Sequence, residues 1–189
     1  MNKKIFFVIA GANGSGKSTI ANELLKEEKL EYINADDIAK KLSPADLSKV
    51  KITAGKEVFI RISNCFENGL SLAVETTLSG NNYINILKEA RDCGYEIVLI
   101  YTFVDNAQMC IERIKSRVRN GGHPVPDEDV IRRYERSKFN FWNKYKELSD
   151  KWLLYYNGNE SYIFVAQKGS DAKVEILNEN LYTLFRETL

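Results

Sequence analysis

Apolar positions along this 189-residue chain fall into two alternating kinds of run. Short continuous stretches such as Ile5-Phe6-Phe7-Val8-Ile9-Ala10 have the length and composition of strands buried on both faces. Between them apolar residues recur every three or four positions, as in helices with one buried face. The pattern predicts strands at Ile5–Ala10, Glu31–Asn34, Ser71–Glu75, Tyr95–Phe103 and Trp152–Tyr156. It predicts helices over Thr19–Lys26, from Asp36 onward, and over Thr53–Asn68, Asn82–Cys93, Asn106–Asn120 and Asp127–Asn143. Gly69, Gly94 and Gly121-Gly122 stop three of these helices, and Pro44 breaks the chain in a polar loop. Tyr162–Ala166 reads as a hairpin partner or edge addition to the fifth strand, and a last helix is expected from about Val174 to the end. Without a repeat, linker or low-complexity tract, the expectation is a single α/β domain over residues 1–189. Its sheet would be mostly parallel and covered by helices on both faces, with ligands at the C-terminal strand ends.

The first strand runs straight into Gly11-Ala12-Asn13-Gly14-Ser15-Gly16-Lys17-Ser18, followed by Thr19 and a helix. Strand, glycine loop and helix form the context in which G-x-x-x-x-G-K-[ST] is a phosphate-binding P-loop rather than an ordinary glycine turn. Glycines let backbone N–H groups turn inward around phosphate oxygens, and the helix N-terminus faces the same anion. Gly11 through Thr19 are therefore the candidate ATP-binding residues. Lys17 would reach the terminal phosphates and the Ser18 hydroxyl would bind Mg²⁺.

Strand ends beside such a loop should carry the remaining chemistry. The second strand ends in Asn34-Ala35-Asp36-Asp37 and the third in Glu75-Thr76-Thr77-Leu78-Ser79-Gly80. Phosphoryl transfer to an alcohol requires a carboxylate to take the hydroxyl proton and oxygen atoms to hold Mg²⁺, and Asp36 and Glu75 are placed for those tasks. Either aspartate could instead cap the next helix; Asp36 is assigned to chemistry and Asp37 to structure. Glu75 resists a packing explanation, because a buried carboxylate is costly.

Residues 113–137 pair two basic helices across a Gly-Gly and Pro-x-Pro loop, which reads as a lid. Arg119, Arg132 and Arg133 are its candidate phosphate-binding arginines, the alternative being a solvated helix pair with internal ion pairs. His123, the only histidine, is expected in loop geometry or substrate contact, with no cluster for a metal site.

Formal net charge is +1, which does not favour a partner bound mainly through nucleic-acid phosphates. Cys65, Cys93 and Cys110 lack metal-ligand spacing and read as reduced thiols. The N-terminal apolar run is too short to span a bilayer and lacks a small-residue cleavage site, so a cytoplasmic protein without membrane association is expected.

Four blocks, Gly11–Thr19, Ile33-Asn-Ala-Asp-Asp-Ile-Ala39, Glu75–Gly80 and Arg117-Val-Arg-Asn-Gly-Gly-His-Pro-Val-Pro126 with Arg132–Ser137, together resemble the zeta toxin family of P-loop kinases, especially its compact chromosomal members. The resemblance implies a P-loop kinase fold, ATP and Mg²⁺ as cofactors, and a small antitoxin as partner. Characterised toxins of the family phosphorylate the sugar 3′-hydroxyl of UDP-N-acetylglucosamine, which makes that compound the implied acceptor. On this likeness Asp36 is the base, Glu75 with Thr76 and Thr77 lies on the substrate side, and Arg119, Arg132 or Arg133 binds phosphate. Where the toxins place a glycine and then an arginine after the glutamate, this chain has Thr-Thr-Leu-Ser-Gly. Two other readings stand beside it: a P-loop kinase for another acceptor (an antibiotic or a nucleic-acid hydroxyl), and an ATP-dependent switch that binds a protein partner.

Overall fold

The computed structural model describes residues 3–43, 46–158, 161–169, 171–187 and 189; the break expected at Pro44 lies outside them. The first half of the chain contains β1 (Ile5–Ala10), α1 (Lys17–Leu24), β2 (Glu31–Asn34), α2 (Ala35–Leu42), α3 (Lys51–Asn68), β3 (Leu72–Thr76) and α4 (Asn82–Asp92). The second contains β4 (Glu96–Phe103), α5 (Ala107–Arg119), α6 (Asp127–Asn140), α7 (Lys146–Leu148), β5 (Lys151–Asn157), β6 (Tyr162–Lys168), β7 (Val174–Ile176) and α8 (Glu179–Glu187).

The strands make one sheet in the order β2-β3-β1-β4-β5-β6-β7. Pairing is parallel from β2 to β5 and antiparallel for β6 and β7. Because β3 and β4 flank β1, the chain leaves β1 at the point where strand order reverses, and the crevice above it is where an α/β sheet accepts ligands. In register, Glu75 of β3 lies between Ile9 of β1 and Asn34 of β2. This pairing brings residues distant in sequence to a common edge of the crevice.

Alternate side chains explain the continuous apolar runs, since both sheet faces are buried. Phe6, Val8, Leu72, Val74, Leu99, Tyr101, Trp152 and Leu154 join the larger core, whereas Ile9, Ala73, Val98 and Ile100 pack on the side of Ile20 and Ala21 from α1. Cys65 and Cys110 are buried and Cys93 is half-buried, all three as free thiols.

Two element predictions need correction. The expected helix through Asn143 gives way after Asn140 to a π turn over Phe141–Tyr145. That turn buries Phe141 against Tyr101, with ring centroids 4.4 Å apart, and buries Tyr145 as well. The helix expected from Val174 begins at Glu179, because Val174-Glu175-Ile176 pairs with β6 instead. Asn178 then starts α8, its side chain accepting from the Leu181 N–H at 3.1 Å.

Candidate active site

The glycine loop closes over the end of β1 under tight steric control. Gly14 and Gly16 adopt φ of 82° and 96°. A Cβ at Gly14 would lie 2.7 Å from the Cys110 carbonyl oxygen, and one at Gly16 would collide with Asn157 and Tyr162. The Ser15 hydroxyl meets Thr102 Oγ1 at 2.8 Å, tying the loop to β4. From the other side the β5–β6 hairpin grips its carbonyls: Asn157 Nδ2 donates to Ser15 O at 2.8 Å and Tyr162 OH to Gly16 O at 2.6 Å. These bonds, with the Ser15 N–H on Ala12 O at 3.2 Å, fix the loop backbone in a turn of the kind that cradles anions.

Lys17 is 7% exposed and donates to Ala12 O at 2.9 Å. Burial lowers its pKa, partly offset by the Glu75 and Asp36 carboxylates. An incoming polyphosphate would favour the charged ammonium. Ser18 Oγ donates to Glu75 Oε2 at 2.8 Å, and Glu75 Oε1 lies 3.9 Å from Lys17 Nζ. Glu75 Oε2 also accepts from Tyr32 OH at 2.8 Å and Asn34 Nδ2 at 2.9 Å. Glu75 therefore meets the Lys17 ammonium and the Ser18 hydroxyl and lines one cavity with Asp36, Thr76 and Thr77.

The α2 N-terminus is capped by Asn34, whose Oδ1 accepts from the Asp36 N–H at 2.8 Å. Neither aspartate serves as the cap. Asp37 pairs with Lys40 at 3.3 Å on the surface, while Asp36 faces a cavity of about 590 Å³ shared with Lys17, Ser18 and Glu75. Thr76 and Thr77 line the same cavity, as do Gly55, Phe59, Asn82 and Tyr83. The loop carrying Thr77 is fixed from below: Asn140 Nδ2 donates to Leu78 O at 2.8 Å and Tyr145 OH to Gly80 O at 2.7 Å.

Of the expected arginines, the structure brings only Arg133 to the cavity, where its guanidinium donates to Asn13 Oδ1 at 3.1 Å. Arg132 is drawn to Asp129 at 2.5 Å on the outer face of α6, and Arg119 is exposed at the end of α5; neither lines the cavity. Arg113 and Arg117 do, an assignment absent from the sequence reading although their four-residue spacing places both on one helix face. Arg113 donates to the carbonyls of Asn157 and Gly158 through Nη2, and its buried Nη1 has no protein partner. Arg117 donates to His123 O at 2.9 Å, so the histidine contributes its backbone to the loop between α5 and α6. A second cavity of about 640 Å³ adjoins the first at Gly14, Gly16, Thr19 and Arg113 and continues along the hairpin past Asn157 and Tyr162.

Among the described residues no group of three or more His, Cys, Asp or Glu could hold a metal ion. The Ser18 hydroxyl with Glu75 beside it fits Mg²⁺, which keeps several waters and is held largely by substrate phosphates. No helix of the described residues is long and apolar enough to cross a membrane.

A family model described as an AAA domain (AAA_33) matches residues 6–138. The chain belongs to this family. An uncharacterised protein of Haemophilus influenzae is 32% identical over 134 residues, covering 70% of this chain and 93% of its own. A shikimate kinase of Legionella pneumophila is 28% identical over 149 residues, covering 78% and 82%. The AvrRxo1-ORF1:AvrRxo1-ORF2 structure with sulphate ions has a chain that superposes with a TM-score of 0.77 at 16% identity; the match covers 96% of this chain and 63% of that one. This chain thus spans less than two thirds of the length of that neighbour. A chain from the PezAT chromosomal toxin–antitoxin system of Streptococcus pneumoniae superposes with a TM-score of 0.68 at 15% identity, covering 100% of this chain and 86% of that one. At such identities the structural likeness is one of fold. This AAA_33 member is a P-loop kinase-like domain, related in sequence to shikimate kinases.

Proposed function

We propose that the protein is a kinase transferring the γ-phosphoryl group of ATP to an alcohol on a small molecule. The observation that carries this reading is the shared cavity: Asp36 faces Lys17, Ser18 and Glu75 from one wall, and Arg113, Arg117 and Arg133 enter from the lid. A nucleotide switch needs the phosphate loop but has no use for a separate carboxylate and an aromatic-lined recess across from it.

In this mechanism Lys17 exchanges its bond to Ala12 O for phosphate oxygens. Ser18, with Glu75 beside it, would hold Mg²⁺, which when bound would neutralise charge on the triphosphate. Asp36 accepts the proton of the acceptor hydroxyl as its oxygen bonds to the γ-phosphorus. The bond from that phosphorus to the β–γ bridging oxygen breaks, and ADP leaves. Arg113, Arg117 and Arg133 stabilise charge on the transferred group, with Arg119 and Arg132 remaining on the outer surface. The second cavity, along the hairpin, takes the nucleoside end of ATP.

UDP-N-acetylglucosamine and shikimate are the first acceptors to test, the former from the zeta toxin likeness and the latter from the sequence relatives. A small protein partner belongs to the same reading, supported by the two-component assemblies named for both structural neighbours. The test is incubation with Mg-ATP and each acceptor, read by mass spectrometry for gain of one phosphoryl group, with Lys17→Ala as control. A phosphorylated product absent from the control is expected. ATP binding with no transfer to these or any other alcohol would contradict the proposal.

A further inference from the structure

Gly55 stands inside α3, where glycine is a poorer helix former than every residue except proline. Among the described residues nothing requires it there: its backbone is not among those with positive φ, and a Cβ built at Gly55 would meet no described atom within 4 Å. Alanine would therefore fit and strengthen the helix. The consequence of glycine at this position is open space, and that space belongs to the cavity, which α3 also lines with Val58 and Phe59.

The surroundings say what the space suits. Phe59 and Tyr83 approach at 6.0 Å between ring centroids, tilted by 53°, and give the recess an apolar side. Asp36, Thr77 and Asn82 supply hydrogen-bonding groups around it. Apolar contact on one side with polar groups at the edge matches a ring bearing several hydroxyls, such as a sugar or cyclitol. Resting on the kinase reading above, we infer that Gly55 is a specificity-determining position whose missing side chain admits the face of a cyclic polyhydroxyl acceptor against α3.

The experiment compares the wild-type chain with Gly55→Ala and Gly55→Leu. Each is given Mg-ATP and cyclic alcohols (UDP-N-acetylglucosamine, N-acetylglucosamine, shikimate, inositol, uridine) or open-chain ones (glycerol, mannitol, homoserine). The small-molecule fraction of a cell extract completes the panel. The wild type should phosphorylate a cyclic compound. Both variants should melt higher, by roughly 2–4 °C for alanine, with KM for ATP unchanged. Acceptor kcat/KM should fall in both, by about tenfold or more for leucine, the size expected for filling an apolar subsite. Higher stability with unaltered acceptor kinetics, or an open-chain product, would overturn the role of Gly55 and leave the kinase reading intact. A wild-type protein that phosphorylates nothing in the panel would overturn both. Should leucine prevent folding, the alanine variant still decides the matter.

Discussion

One oxygen of Glu75 shows how much of this site is decided atom by atom. Oε2 accepts from Ser18, Tyr32 and Asn34 at 2.8–2.9 Å, leaving the carboxylate little freedom beneath the hydroxyl proposed to hold Mg²⁺. Tyr32 touches neither nucleotide nor acceptor in this account and acts by positioning Glu75. Removing its hydroxyl in Tyr32→Phe should raise the Mg²⁺ concentration for half-maximal activity about tenfold, the scale of one hydrogen bond to a charged group. KM for the acceptor should stay unchanged, and a magnesium titration of initial rates checks both. Glu75 itself was legible in the sequence, because a carboxylate closing an apolar strand is hard to explain by packing. Tyr32 and Asn34 were not. Their role follows from the parallel register that sets Asn34 beside Glu75, and no local pattern in the second strand encodes its neighbour. Of the three arginines expected, Arg133 lines the cavity while Arg119 and Arg132 do not, for a related reason: charge identifies a basic helix, but helix rotation decides which guanidinium faces the cavity and which, like Arg132, finds an acidic neighbour.

Among the elements, the β5–β6 hairpin extends the parallel sheet and also braces the phosphate loop. Its bond from Tyr162 to Gly16 O, 2.6 Å long, predicts that Tyr162→Phe raises KM for ATP several-fold, up to the roughly tenfold value of a neutral hydrogen bond. Acceptor KM should be unaffected, and steady-state kinetics with each substrate varied in turn distinguish the two. Helix α8 has a different task. Phe185 is fully buried and packs on Phe103 at 4.9 Å, with Tyr101 and Phe141 each at 5.9 Å. Phe185→Ala should cost about 3–5 kcal/mol, measured by chemical denaturation. The sequence announced a helix here but placed its start in Val174-Glu175-Ile176. Three residues of apolar–polar alternation are too short to separate a strand from a helix turn, and only the exposed edge of β6 decides between them. Elements such as β1, β4 and α5 were readable because an unbroken apolar run or a sustained helical period defines them and glycine or asparagine marks their ends.

Across the molecule, alternation of strands and helices was enough to foretell a mostly parallel sheet, and Tyr162–Ala166 was legible as a hairpin partner of the fifth strand, whereas the short antiparallel β7 that follows was not. Several ionisable groups are buried in this architecture and link stability to pH. Burial pushes the Lys138 ammonium down to about 8 from its ordinary 10.5, although it lies 4.7 Å from the centre of the Phe185 ring. Between these values the unfolded chain binds more protons than the folded one, so this group makes stability rise with pH above about 8. The buried Tyr101 hydroxyl, raised by burial, opposes the rise above the ordinary tyrosine value of about 10. The Cys110 thiol, pushed up by burial to about 11, also opposes it, so the measurable consequence is the difference between variants: the slope of stability between pH 8 and 10 should be less positive in Lys138→Met than in the wild type, and an equal slope in the two would contradict the assignment to Lys138.

The central claim is that Asp36 is a base for phosphoryl transfer across from a P-loop, and one paired measurement addresses it directly. ATP affinity by calorimetry and phosphoryl transfer under single turnover would be compared for the wild type and Asp36→Asn, using an acceptor that the wild type phosphorylates. Because the aspartate side chain neither caps α2 nor bonds the phosphate loop, ATP affinity should remain within about twofold, while transfer falls by roughly 10²–10⁴-fold. Transfer at the wild-type rate in Asp36→Asn would contradict the claim.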